Sequence, residues 1–170
     1  MILHLNLLHL VLALGAAVCV YVALQDVRAD RPRGPWRMAV LPGWAMLPAL
    51  ILLLFQMAAR QPPWLLATPF VLGLAVGALR GATMLLQFDR NWRLVRPKGR
   101  RVLLWVSLAI PVAVALEIAG SLVGPATAIG AALRLAGAAL ALLCAGLLVG
   151  RGLTLAIRLL GAPHVDLRRR

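Results

Sequence analysis

Two side chains of opposite charge interrupt long apolar stretches, and they flank a short turn symmetrically. Glu117 and Arg134 lie equally far along the chain from the junction of Pro125 and Ala126. A charged residue inside a membrane-spanning helix is costly and is expected to find a partner within the bundle. Because each residue adds 1.5 Å to a helix, two antiparallel helices joined here would hold both side chains at the same depth. The spacing predicts an interhelical ion pair, which is either a structural clamp or the ion-responsive site of a transporter.

A second charged residue lies next to a glycine repeat. Gly73, Gly77 and Gly81 recur every four residues and form a stripe that another helix backbone can approach closely. By helical angle Arg80 lies beside that stripe, so we expect it to face protein or a crevice rather than lipid. Two roles remain open for Arg80: it extends to the lipid head groups, or it binds an anion or an anionic lipid.

The chain has two cysteines, and both fall inside apolar stretches. Cys19 and Cys144 are predicted at similar depths of the first and last spans, so they would meet if those helices were neighbours. A pair of intramembrane thiols suits electron transfer by disulfide exchange. Buried cysteine also serves as a small apolar side chain, and neither residue belongs to a Cys-x-x-Cys motif.

Histidines near the amino terminus do not have metal-binding spacing. His4 and His9 are five residues apart and therefore point to different faces of a helix, whereas a helical metal pair is usually spaced i, i+4. We expect polar contacts from them, and we expect no metal, no cofactor and no catalytic constellation. The sequence therefore favours a protein that is not an enzyme.

Composition identifies the elements that must position these residues. Of 170 residues, 62% are hydrophobic and only 14% are charged, and the mean hydropathy is +0.91. A soluble domain has about 45–50% apolar residues, and disordered chains are poorer still in them. Both classes are therefore excluded, which leaves one integral membrane domain over residues 1–170.

The apolar runs predict an all-α bundle. A helix needs about 20 apolar residues to cross a bilayer, and no segment alternates as a barrel strand would. Five spans satisfy this length, at about 3–24, 38–59, 64–86, 102–123 and 128–150, with a helical extension of the last to Leu160.

Basic residues predict the orientation. Fifteen of the 18 Lys and Arg residues would lie on one side of a five-span protein, and Arg60 alone on the other. Cytoplasmic loops are the basic ones, so the amino terminus is expected outside and the carboxyl terminus in the cytoplasm of a bacterial inner-membrane protein. The net charge of +13 is then explained by anionic lipids on the cytoplasmic face, without a nucleic-acid partner.

The basic connection before the fourth span has turn formers between aromatic and aliphatic residues. Residues Phe88 to Val95 are predicted to form a small hairpin on the membrane surface.

With five spans, the Gly73–Gly77 repeat and the basic segment from Phe88 to Arg101, the chain resembles small polytopic bacterial membrane proteins of the CcdC-like group. The resemblance covers roughly residues 20–123 and implies a link to cytochrome c biogenesis, without assigning any catalytic residue.

Three functions are compatible with these patterns. The small-residue helix faces, above all in the fifth span, favour an accessory or assembly subunit that packs within itself or against a membrane partner or second copy. Glu117 and Arg80 favour a small oligomeric transporter or channel. Cys19 and Cys144 would instead suit an intramembrane thiol oxidoreductase.

Overall fold

Five helices, each long and apolar enough to cross a membrane, make up most of the molecule. The computed structural model describes residues 7–28, 37–84, 86–89, 94–97, 101–124 and 127–161. The helices are α1 (Leu7–Arg28), α2 (Arg37–Ala58), α3 (Pro63–Thr83), α4 (Arg101–Val123) and α5 (Ala128–Gly161).

The observed helix bounds confirm four of the predicted spans to within a few residues and extend the fifth. Helix α1 continues to Arg28, beyond the predicted end at 24, and residues 3–6 lie outside the described part of the chain. Helix α3 ends at Thr83 rather than at 86, because Met84 turns to extended backbone and a strand begins at Leu86. Helix α5 runs to Gly161, so the expected extension is confirmed, and its 34 residues make a rod about 51 Å long.

The predicted hairpin is also confirmed. Strand β1 (Leu86–Asp89) pairs antiparallel with β2 (Leu94–Pro97), and Phe88 is the partner of Val95. Aromatic and β-branched residues favour strands, which explains why the chain leaves the helical conformation here.

The turn between α4 and α5 is fixed by local signals. Gly124 has a φ of 112°, the left-handed conformation with which many helices end and which glycine adopts without strain. The Thr127 hydroxyl accepts a hydrogen bond of 3.0 Å from the Gly130 N–H, which caps the start of α5. Helices α4 and α5 therefore run antiparallel, which is the arrangement that the predicted pair of Glu117 and Arg134 needs.

Four of the helices surround the core, and α3 adds Leu66 to it. Helix α1 packs on α2 and α4, and α5 packs on the same two helices from the opposite side, so α1, α2, α5 and α4 form a closed ring. Helix α3 packs chiefly on the outer side of α5. We call α1, α2, α4 and α5 the four-helix unit.

The two ends of the molecule differ in their connections. One end, which we call the turn end, carries the tight turns between α2 and α3 and between α4 and α5. The other, the hairpin end, carries the α1–α2 connection, the β-hairpin and the last turns of α5. The core between them is built from small and aliphatic residues on one face of each helix of the unit, among them Leu12, Ala16, Ala49, Leu52, Ile110, Ala113, Ala141 and Ala145.

Candidate functional site

The predicted ion pair is present inside the four-helix unit. The Arg134 Nε donates a hydrogen bond of 2.7 Å to the Glu117 Oε1. The Glu117 side chain is only 1% exposed, and that of Arg134 is 22% exposed. Each residue lies about 9 Å from its helix end beside the α4–α5 turn, so the equal spacing along the chain becomes equal depth.

Glycines bring the backbones of α4 and α5 together on both sides of the pair. A Cβ at Gly120 would lie 2.7 Å from the Gly130 carbonyl oxygen, and one at Gly137 would lie 2.6 Å from the Ala113 carbonyl oxygen. Side chains at these positions would force the helices apart. The close approach is therefore what holds the guanidinium against the carboxylate.

The second carboxylate oxygen has no such partner. Glu117 Oε2 is buried and forms no hydrogen bond with the described residues. A buried acceptor left unpaired is unusual because it loses its hydration without replacement. This atom is therefore the part of the ion pair that is available for another group.

Two more buried polar atoms in the described residues are unpartnered, and they come from the two other helices of the unit. Gln56 of α2 is 3% exposed and its Nε2 has no hydrogen bond, and His9 of α1 is 9% exposed and its Nδ1 has none. The His9 ring lies against Phe55, with ring centroids 6.1 Å apart, which joins α1 to α2 at this level.

His9 and Gln56 lie near the turn-side ends of their helices, and Glu117 lies further from the end of its own. Counted along each helix, His9 is about 3 Å from Leu7, Gln56 is about 3 Å from Ala58, and Glu117 is about 9 Å from Val123. All three belong to inward-facing stripes: His9 is followed by Leu12 and Ala16, and Gln56 is preceded by Leu52 and Ala49. We call His9, Gln56, Glu117 and Arg134 the polar cluster, to which each helix of the four-helix unit contributes one residue.

The core beneath the polar cluster is apolar along the described helices. Leu12, Cys19, Leu52 and Ile110 are buried there. Ser107, a buried polar residue nearer the hairpin end, donates its hydroxyl hydrogen to the Leu104 carbonyl 2.9 Å away. The polar cluster is therefore a site at one end of the core rather than part of a continuous polar path.

The glycine stripe of α3 has an internal role. Cβ atoms at Gly73 and Gly77 would overlap the carbonyl oxygens of Leu143 and Leu147, and Cβ atoms at Gly146 and Gly150 of α5 would overlap those of Phe70 and Leu74. The contact points advance in the same direction on both helices, so α3 and α5 run parallel with their backbones touching. The small-residue faces thus pack within the chain, which was one of the two possibilities that the sequence left open.

Arg80 lies in the last turn of α3, at the hairpin end. Its side chain is exposed, and it is about 4.5 Å from the end of α3 because that helix ends early. Arg80 therefore does not join the polar cluster, which is at the opposite end of the molecule. Its expected contact with a crevice, an anion or the lipid head groups stays a prediction.

The two cysteines are both free and both buried among apolar residues of the core. Cys19 is in α1 and Cys144 is in α5, on opposite sides of the ring formed by the four-helix unit. The disulfide-exchange hypothesis stays a prediction, and the packing role is the one that the burial of both thiols fits.

Sequence reasoning found Glu117 and Arg134 but missed Gln56 and assigned His9 no site. The available signal was the spacing of Leu41, Ala45, Ala49, Leu52 and Gln56, which places an amide at the end of a buried stripe. Among the described residues, no group of three His, Cys, Asp or Glu side chains is arranged to hold a metal ion.

Comparison with known proteins gives no match for this chain, whether by family models, by curated protein sequences or by solved structures.

Proposed function

We propose that this chain is a multi-pass protein of the bacterial cytoplasmic membrane, with its amino terminus outside and its carboxyl terminus in the cytoplasm. Support comes from five helices of spanning length and from the fifteen basic residues that a five-span arrangement of the sequence would place on one side. In this orientation the turn end, with Arg60, faces outward, and the polar cluster lies near the outer surface.

The orientation can be tested with single engineered cysteines and a membrane-impermeant maleimide. Gln61→Cys is at the turn end and Gly161→Cys is at the hairpin end, while the two native thiols are buried. In intact spheroplasts we expect Gln61→Cys to be labelled and Gly161→Cys to be labelled only after lysis. The reverse pattern would overturn the orientation.

Within this topology we propose that the protein is a small proton carrier whose proton-binding group is Glu117. The observation that carries this proposal is the set of three unpartnered buried polar atoms, on three different helices, in the turn-side half of the four-helix unit. Intramembrane ionisable groups that face the bundle interior commonly belong to ion or proton sites.

The two oxygens of the Glu117 carboxylate have different surroundings. Oε1 is held by the Arg134 guanidinium, which fixes the orientation of the group. Oε2 has no hydrogen-bond partner among the described residues, so it is the oxygen that we propose to bind the proton. The His9 imidazole and the Gln56 amide supply further donors and acceptors in the same half of the four-helix unit.

Because the core below the polar cluster is apolar, we propose a carrier that changes conformation and not an open pore. Prolines inside α2 and α4, at Pro42, Pro48 and Pro111, remove backbone hydrogen bonds and provide places where these helices can bend.

The test is proton flux into proteoliposomes, driven by a potassium diffusion potential and followed with a trapped pH-sensitive dye. The wild-type protein is expected to carry protons faster than empty liposomes, and Glu117→Gln is expected to abolish the difference. Ser107→Ala serves as the matched control, since Ser107 is buried in the same helix but hydrogen-bonded locally. Equal flux in wild type and Glu117→Gln would exclude Glu117 as the proton-binding group.

An accessory or assembly subunit is the second candidate, and the position of α3 favours it. This helix packs chiefly on α5 and leaves Trp64, Val71, Leu72 and Val76 exposed. A photo-crosslinking residue at Val76 is expected to capture a membrane partner or a second copy if this face is a docking surface, whereas crosslinks to lipid alone would remove the support for it.

A further inference from the structure

Arginine side chains from α5 hold the end of α3. The Arg158 Nη1 donates hydrogen bonds of 2.7 Å to the carbonyl oxygens of both Gly81 and Met84. The Arg151 Nε lies 3.3 Å from the Met84 Sδ. The last carbonyls of a helix lack intrahelical partners, and cations are favoured beside them. This arrangement therefore explains how α3 can end against α5 without a capping glycine of its own.

Arg80 is next to this contact along the chain. It directly precedes Gly81, whose carbonyl oxygen Arg158 contacts, and it belongs to the last turn of α3. Its side chain is exposed and forms no hydrogen bond or ion pair with the described residues. Asp89, the next acidic residue along the chain, is buried at the end of β1 and is engaged in contacts of its own.

Exposed apolar side chains lie next to Arg80 on α3. Leu79 and Val76 are 68% and 49% exposed, and Val76 is one turn before Arg80 on the same face of the helix. A surface of this kind, apolar along the helix and cationic at its end, matches the two parts of a phospholipid. Guanidinium groups bind phosphate through paired charge-assisted hydrogen bonds, which an ammonium cannot form.

We propose that the end of the α3–α5 seam is a binding site for the phosphate of an anionic phospholipid head group. Arg80 is the residue that contacts the phosphate directly. Arg151 and Arg158 hold the end of α3 in place beside it. The acyl chains lie along the exposed apolar residues of α3, and the site is independent of the polar cluster at the opposite end.

The experiment is native mass spectrometry of the full-length protein released from mixed micelles of phosphatidylglycerol and phosphatidylcholine. The wild-type protein is expected to retain phosphatidylglycerol in preference to phosphatidylcholine. Arg80→Gln is expected to reduce that retention about fivefold, the effect of one cation near an anionic lipid surface. Arg60→Gln, an exposed arginine at the turn end, is the matched control and should retain the lipid as wild type does.

Two results would overturn the proposal. One is equal retention of phosphatidylglycerol by the wild type and Arg80→Gln, with both variants shown to be folded by circular dichroism. The other is loss of the bound lipid on addition of inorganic phosphate, which would identify a site for free anions instead of a lipid site.

Discussion

Helix α5 is held in two different ways by its two closest neighbours. Against α4 it runs antiparallel after a short turn, and the contact combines glycines with the buried pair of Glu117 and Arg134. Against α3 it runs parallel, without a direct connection. The two spans touch through glycine backbones, and the side-chain hydrogen bonds between their described residues lie at the hairpin end.

The difference shows how sequence distance shapes a helix contact. A short turn already sets the register of α4 against α5, so that contact can hold a charge pair whose depth must match. No turn sets the register of α3 against α5, and the shape of two glycine-lined surfaces has to do so. We therefore expect the α4–α5 contact to be sensitive to charge and the α3–α5 contact to be sensitive to volume.

The largest expected effect comes from removing one partner of the buried pair. Glu117→Ala leaves the Arg134 guanidinium partly buried without a counterion and should lower the free energy of unfolding by about 3–5 kcal/mol. The measurement is denaturation in mixed micelles followed by circular dichroism. The double variant with Glu117→Ala and Arg134→Ala should lose less unfolding free energy than the sum of the losses in the two single variants. Additive losses would mean that the two residues do not interact.

A smaller effect is expected from one added methyl group in the α3–α5 contact. Gly77→Ala places its Cβ against the Leu147 carbonyl oxygen, so the backbones must separate at a cost of about 1–3 kcal/mol. The matched control is Gly43→Ala in α2, where a Cβ would meet no atom within 4 Å. That control should gain about 0.5–1 kcal/mol from helix propensity, and a stabilising Gly77→Ala would contradict the close contact.

The smallest effect is expected where α3 is fastened by side-chain hydrogen bonds. Arg158→Gln shortens the side chain and removes two bonds to the carbonyls of Gly81 and Met84, at a cost of about 1.5 kcal/mol because the group is only half-buried. Arg80→Gln in a neutral detergent is the control, and it should leave the free energy of unfolding unchanged. Equal losses in the two variants would show that Arg158 acts through general charge and not through these bonds.

The same contrast explains what the sequence could predict. The spans follow from continuous apolar runs, and the depth of Glu117 and Arg134 follows from counting outward from one turn. The Phe88–Val95 pair of the hairpin is equally local. Each of these features depends on residues that are close along the chain or joined by a short connection.

The rest depends on the order of helices around the bundle. A helix that is apolar on every side does not indicate by its pattern which side meets another helix, because lipid is as apolar as a neighbour. For that reason the burial of Gln56 and His9 could not be predicted, and the bonds from Arg158 to the end of α3 could not be foreseen. The surroundings of Arg80 depend in the same way on how α3 lies on α5.

The peripheral position of α3 has a consequence for biosynthesis. During translation α3 is made before α4 and α5, yet the surface it packs on belongs chiefly to α5. In the proposed topology, newly inserted α3 must remain in the bilayer with its glycine stripe facing acyl chains until α5 leaves the ribosome. Completion of α5 would then be the event that closes the assembly, and a ribosome stalled before Ala128 would leave α3 undocked.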